Sequence, residues 1–159
     1  MSVQMNQSLS VDCAVFGFDG RLLKVLLVER RDYDPGTHLD RLKLPGAMIL
    51  ENETLPAAAS RVLAEATGLR EIYLKQMEIF SDPARVTGKE LEWINRSHGI
   101  NTERVVTVGY YALVKLDRRV VAYTTEKRAQ WVEVESIQRL AMDHKQILSS
   151  ALWYLCRDM

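Results

Sequence analysis

Cysteine is scarce in this chain of 159 residues. Cys13 and Cys156 lie at opposite ends and in no metal-ligand spacing, so they read as reduced, buried thiols of a cytoplasmic protein. A surplus of charge is missing as well: Lys+Arg and Asp+Glu stand at 21 each. A domain that grips nucleic acid through its phosphates carries a basic excess, so DNA contact by these residues is not expected. No apolar stretch is long enough to cross a bilayer, which leaves no membrane partner. The polar segment Met1–Ser10 lacks the basic flank and apolar centre of a signal peptide. Internal repeats and low-complexity segments are also absent. What is present, 47% hydrophobic and 26% charged residues, is the composition of a folded globular protein rather than a disordered one, and the length fits one domain, residues 1–159.

Val11–Phe18 is rich in apolar and β-branched residues and ends at Asp19-Gly20, which predicts a buried strand and a turn. Leu22–Val28 follows as its hairpin partner. Arg30–Arg41 reads as a polar surface loop, and Leu44-Pro45-Gly46 begins a turn-like stretch. Thr54–Ala66 is the clearest helix: Pro56 falls in its first turn, where a missing N–H is tolerated, and Gly68 lies just past its end. Leu55, Ala58, Ala59, Val62, Leu63 and Ala66 make one apolar face at helical spacing. Further strands are expected over Ile72–Phe80, Val105–Val114 and Ala129–Val134. Ile147, Leu148, Ala151, Leu152, Leu155 and Cys156 predict a closing amphipathic helix. Strands outnumber helices and do not alternate with them, which argues against a Rossmann sheet. The expected class is α+β, an α/β/α sandwich with a mixed sheet between helices.

Leu44–Leu69 reads LPGAMILENETLPAAASRVLAEATGL and resembles the Nudix box, a loop-helix-loop motif of the Nudix family. Without gaps, Ala47 takes the place of the first glycine and Glu53 that of the first glutamate. Arg61 falls on the arginine, Leu63 on the aliphatic position, Glu65 on the first of the paired glutamates, and Gly68-Leu69 close the motif. Nudix hydrolases use divalent metal, Mg²⁺ or Mn²⁺, to activate water and offset phosphate charge. The resemblance places the main metal ligands directly after the arginine and at the second paired glutamate, four residues apart on one helix face. Here these are Val62 and Ala66, which carry no oxygen for a hard cation. Glu53 and Glu65 remain as catalytic or metal-binding candidates if the chain is active, with Glu51 or Glu126 as recruits. Arg61 and Glu65 read equally as a helix-surface ion pair.

Four further segments, VDCAVFGFDGRLLKVLLVERR, IYLKQMEIFSDPAR, RVVTVGYYALV and AMDHKQILSSAL, are similar to the Nudix-related transcriptional regulators of NAD metabolism (NrtR) and to related ADP-ribose pyrophosphatases. The resemblance runs from about Val11 to Leu155 and is weakest over Arg85–Glu103, which looks like an extended loop. It implies a Nudix-like domain that senses ADP-ribose or a related NAD metabolite, probes no DNA itself, and works as a homodimer. The regulators' winged helix has no counterpart after Asp158, so the chain reads as a truncated piece or as a stand-alone relative. The alternative is an active pyrophosphatase releasing AMP and ribose 5-phosphate. A diphosphate ligand calls for arginine donors, and the candidates are Arg85, Arg30, Arg61 and Arg104, with Lys43 behind them. Phe80 and Tyr111 are candidates for stacking on adenine, with packing in the core as the other reading of each. His144 either touches the ligand or pins the start of the last helix. His38 and His98 lie in polar segments without metal-binding companions. No cofactor is expected for binding alone.

Overall fold

The computed structural model describes residues 4–159, so residues 1–3 of the segment scanned for a leader lie outside it. Strand β1, Met5–Phe18, starts six residues before the expected Val11. Its polar first residues have no apolar pattern, yet the strand pairs antiparallel with β4 from Met5 and parallel with β6 from Leu9. The remaining strands are β2 (Leu23–Glu29), β3 (Leu42–Lys43), β4 (Gly46–Leu50), β5 (Lys75–Phe80), β6 (Val106–Lys115) and β7 (Gln130–Glu133). Among the described residues they form one mixed sheet in the order β3-β2-β1-β6-β5, with β4 beside β1 and β7 beside β2. The turn-like stretch after Lys43 thus becomes a strand within a few residues.

Side chains of β1 alternate between the two faces. Val11, Cys13 and Val15 enter one apolar cluster, while Ala14 and Phe16 enter another. The first cluster is covered by helix α1, Leu55–Thr67. Its start is fixed by the Thr54 hydroxyl, which accepts from the Ala57 N–H at 3.3 Å, and its end by Gly68 at φ 82°, a left-handed position suited to glycine. Ala58, Ala59, Val62 and Leu63 face the sheet, and the small alanines let the helix lie close to it. The second cluster is covered by helix α4, His144–Asp158, through Ile147, Leu148, Ala151 and Leu155. The α/β/α sandwich is therefore observed.

Two helices occupy segments read as loop or left unassigned. Helix α2, Gly88–His98, lies inside the supposed extended loop Arg85–Glu103 and packs Trp93 and Ile94 into a third small cluster with Met48, Val86 and Val105. Helix α3, Arg118–Glu126, is started by Asp117, whose carboxylate accepts from the Val120 N–H at 2.9 Å. Two further expectations are corrected. Cys156 is exposed, not buried, because it falls on the outer side of α4; Cys13 is buried as expected, and both are free thiols. Arg30, read as part of a surface loop, is 2% exposed, because Glu90 reaches across from α2 to neutralise it.

Candidate functional site

The site arises where one edge of β1 changes partner. Phe16–Phe18 pairs with β2, and Met5–Asp12 pairs with β4. Between them the Cys13 N–H donates to the Pro45 carbonyl at 2.8 Å, so β2 and β4 splay apart and Lys43-Leu44-Pro45-Gly46 crosses the gap. Gly46 is required there: a Cβ would stand 1.7 Å from an Asp12 carboxylate oxygen. The gap opens outward into a cleft of about 610 Å³ floored by Lys43, Gly46 and Ala47, with Ala66 of α1 on one wall and Trp93 of α2 on another. Arg30, Arg31, Lys43, Lys127 and Arg128 line it against a single acid, Glu29. In a chain with balanced charge, such a local excess of cations suits an anion. A smaller inner cavity behind the floor shares Lys43, Gly46, Ala47 and Trp93 and adds Asp12, Arg85 and His144.

The buried charges beneath the floor are paired. Leu44 N–H donates to His144 Nδ1 at 2.9 Å, so Nε2 carries the proton and faces Asp12 Oδ2 at 3.2 Å. Burial pushes the Asp12 carboxyl up, but His144, Lys43 and Arg85 outweigh it and hold the group below the usual carboxylate range. Lys43 donates to the Gly46 carbonyl at 3.1 Å, and burial lowers its ammonium despite Asp12 nearby. Arg85 forms a two-pronged pair with Asp143 at 2.7 and 2.8 Å and donates to the Val105 carbonyl at 3.0 Å. Arg30 donates to both oxygens of Glu90 and to the Asp40 carbonyl, with its guanidinium 4.7 Å from the Trp93 ring centroid.

Of the residues singled out in the sequence, the structure brings Arg30 and Lys43 to the cleft and Arg85 and His144 to the inner cavity. Arg61, Glu53, Glu65, Arg104 and Phe80 line neither. Arg61 holds Glu53 at 2.6 Å, Glu65 at 3.2 Å and the Met48 carbonyl at 3.3 Å, which ties the loop before α1 to the helix. These hydrogen bonds from Arg61 keep the Glu53 carboxyl below its ordinary value. Arg104 is exposed and donates to the Ser81 carbonyl. Phe80 and Tyr111 belong to the second apolar cluster, and the Tyr111 hydroxyl donates to Asp158. His98 ends α2 and lines both cavities, its ring held below the ordinary histidine value by burial. Sequence reasoning missed Arg31, Lys127 and Arg128, whose only signal was being adjacent basic residues next to strands.

The splayed sheet, the loop-helix-loop from Gly46 to Leu69 and its Arg61–Glu53 clasp coincide with a profile of the NUDIX domain that matches residues 6–151. The chain belongs to the Nudix family. It is 28% identical over 147 residues to the ADPR responsive transcriptional repressor NtrR of Acinetobacter baylyi, covering 90% of this chain and 52% of that protein. The chain thus spans about half the length of that curated relative. The NUDIX domain of Shewanella oneidensis NrtR, solved with ADP ribose, superposes with a TM-score of 0.69 at 27% identity, over 96% of this chain and 90% of that one. The longer NrtR from the same organism, solved with a 27mer DNA, gives 0.70 at 26% identity, over 94% and 63%.

Divalent metal is common among Nudix hydrolases, and the donor set of this Nudix box does not fit one. Val62 is 3% exposed and packed in the apolar cluster under α1. Ala66 faces the cleft with a methyl group. Glu53 and Glu65 are both engaged by Arg61, and Glu51 and Glu126 are exposed elsewhere. Among the described residues no three acidic, histidine or cysteine side chains gather as a metal site would need.

Proposed function

We propose that this Nudix domain is a cytoplasmic sensor that binds ADP-ribose, or a closely related nucleoside diphosphate of NAD metabolism, without hydrolysing it. The observation that carries this reading is the pairing of a basic cleft with Val62 and Ala66 at the two positions where a Nudix hydrolase holds its metal. An anion is attracted, but nothing in the box helix presents a dication that activates water. The likeness to NrtR, whose Nudix domain is solved with ADP ribose, supports the choice of ligand. The described domain then acts as the effector half of a transcriptional regulator, as a homodimer, with DNA contacted by a winged-helix domain outside these residues.

Isothermal titration with ADP-ribose, with and without magnesium, paired with a product assay on the same sample, tests the proposal. Saturable binding without magnesium and no AMP release is the expected result. Manganese- or magnesium-dependent release of AMP and ribose 5-phosphate that collapses in Glu65→Gln or Glu53→Gln would make the chain a hydrolase instead.

A further inference from the structure

The turn between α3 and β7 supplies charge where the box helix has none. Arg128 adopts φ 61°, the left-handed region that glycine tolerates and arginine does not favour. Its N–H donates to the Thr125 carbonyl at 2.9 Å and the Ala129 N–H to the Thr124 carbonyl at 2.9 Å, a helix ending at which glycine is the usual residue. Glycine would relieve the backbone, so the presence of arginine points to its side chain. Lys127 and Arg128 are exposed and line the cleft, and among the described residues neither forms an ion pair. Of the other cleft cations, Arg30 is engaged by Glu90 and Lys43 by the Gly46 carbonyl, while Arg31, also without an ion pair, reaches the Ser97 carbonyl at 3.4 Å on the far side of the cleft from Ala66. The two helix ends touch, for a Cβ on Gly68 would stand 3.3 Å from Lys127 Cγ and 3.3 Å from the Tyr123 carbonyl oxygen. This contact sets the basic pair on the same cleft wall as Ala66.

We propose that Lys127 and Arg128 form a cationic clamp for the diphosphate of the ligand, taking over by side-chain charge what dications do in Nudix hydrolases. The proposal rests on reading the cleft as a diphosphate site. Guanidinium donates paired hydrogen bonds to phosphate oxygens and the lysine adds a point charge. Unlike a metal, both remain in place when the ligand leaves. Magnesium then opposes binding, because it neutralises the free diphosphate that the clamp attracts.

Calorimetric titrations of ADP-ribose and, separately, of inorganic pyrophosphate into the full chain test the clamp, with melting temperature recorded for each variant. Arg128→Gly is expected to melt at the same or a higher temperature than the parent while binding both ligands about tenfold or more weakly. Adding Lys127→Ala weakens them further, and millimolar magnesium weakens ADP-ribose binding to the parent. Unchanged affinity in the folded Arg128→Gly variant, or tighter binding with magnesium, overturns the clamp and leaves the sensor reading standing. Pyrophosphate binding that depends on Arg128, with no binding of ADP-ribose, keeps the clamp and removes the choice of ligand. A parent chain that binds neither ligand overturns both.

Discussion

Arg61 shows how a single side chain can hold a loop-helix-loop motif together. Its guanidinium holds Glu53 in the loop, Glu65 one turn along the helix and the Met48 carbonyl in the neighbouring strand. Glu53 in turn accepts from the Leu50 N–H at 2.8 Å. Glu53→Gln therefore lowers stability at neutral pH by about 1–3 kcal/mol, the usual worth of a charged hydrogen-bond network, as measured by urea denaturation. The pH dependence has a definite sign. The folded carboxyl lies below its ordinary value, so its contribution is complete above the unfolded glutamate range and is lost as pH falls through the folded value. The difference between parent and variant is constant above that range and shrinks below it. A difference that grew on acidification would contradict the pairing. Of this clasp, the Arg61–Glu65 pair was legible from four-residue spacing on the helix, whereas Glu53 was placed only by the resemblance to the motif. The partners of Arg30 and Arg85 were not legible, because Glu90 and Asp143 are 60 and 58 residues away in the chain and no local pattern links them.

At the scale of elements, α2 is the piece that closes the cleft, and beside the packing of Trp93 and Ile94 one charged side chain anchors it there. Glu90 accepts from buried Arg30 of the β2 end and from the Met142 N–H at 2.7 Å, just before α4. Glu90→Ala leaves a guanidinium that is 1% exposed without a counter-charge, which costs about 3–5 kcal/mol. Hydrogen exchange should quicken first over Gly88–His98, with the α1 amides protected longer. Uniform exchange across both helices would mean that α2 is not separately held. The same inward-facing acid explains why α2 escaped sequence reading. Trp93 and Ile94 are adjacent rather than spaced by three or four, and a charged residue, Glu90, shares the inward side of the helix with them. In α3 only Thr124 is buried, too little to leave a periodic signal. By contrast, α1 has its cap, its proline, its apolar stripe and its closing glycine all in agreement, and such consistency is what makes an element readable.

For the whole molecule, formal neutrality conceals a local excess of positive charge. Arg30, Arg31, Lys43, Lys127 and Arg128 line one cleft against Glu29 alone. Attraction of a diphosphate is therefore local rather than long-range, and it is screened over about 8 Å at physiological ionic strength. A ligand that binds only the folded chain stabilises it by mass action, about 2.7 kcal/mol at a hundredfold excess over Kd. For a chain of this size that is a rise in melting temperature of roughly 5–10 °C, to be read by calorimetric scanning after Kd is known. No shift under those conditions would show that the unfolded chain binds equally well. The overall architecture was accessible from the order of strands and helices, but the cleft was not. It is made by the change of partner along β1, and its cations come from segments far apart in sequence.

The burial of Val62 also works as a ratchet. A carboxylate introduced at position 66 would emerge into the cleft at little energetic expense, whereas one at 62 would have to ionise among Val11, Leu63 and their neighbours, at a penalty of several kcal/mol. Neither replacement alone rebuilds a pair of ligands, and the harder one removes stability before it returns any chemistry. A pair of carboxylates on this helix face is therefore reached only by way of a destabilised chain, whereas side chains at the cleft rim can be exchanged at little cost.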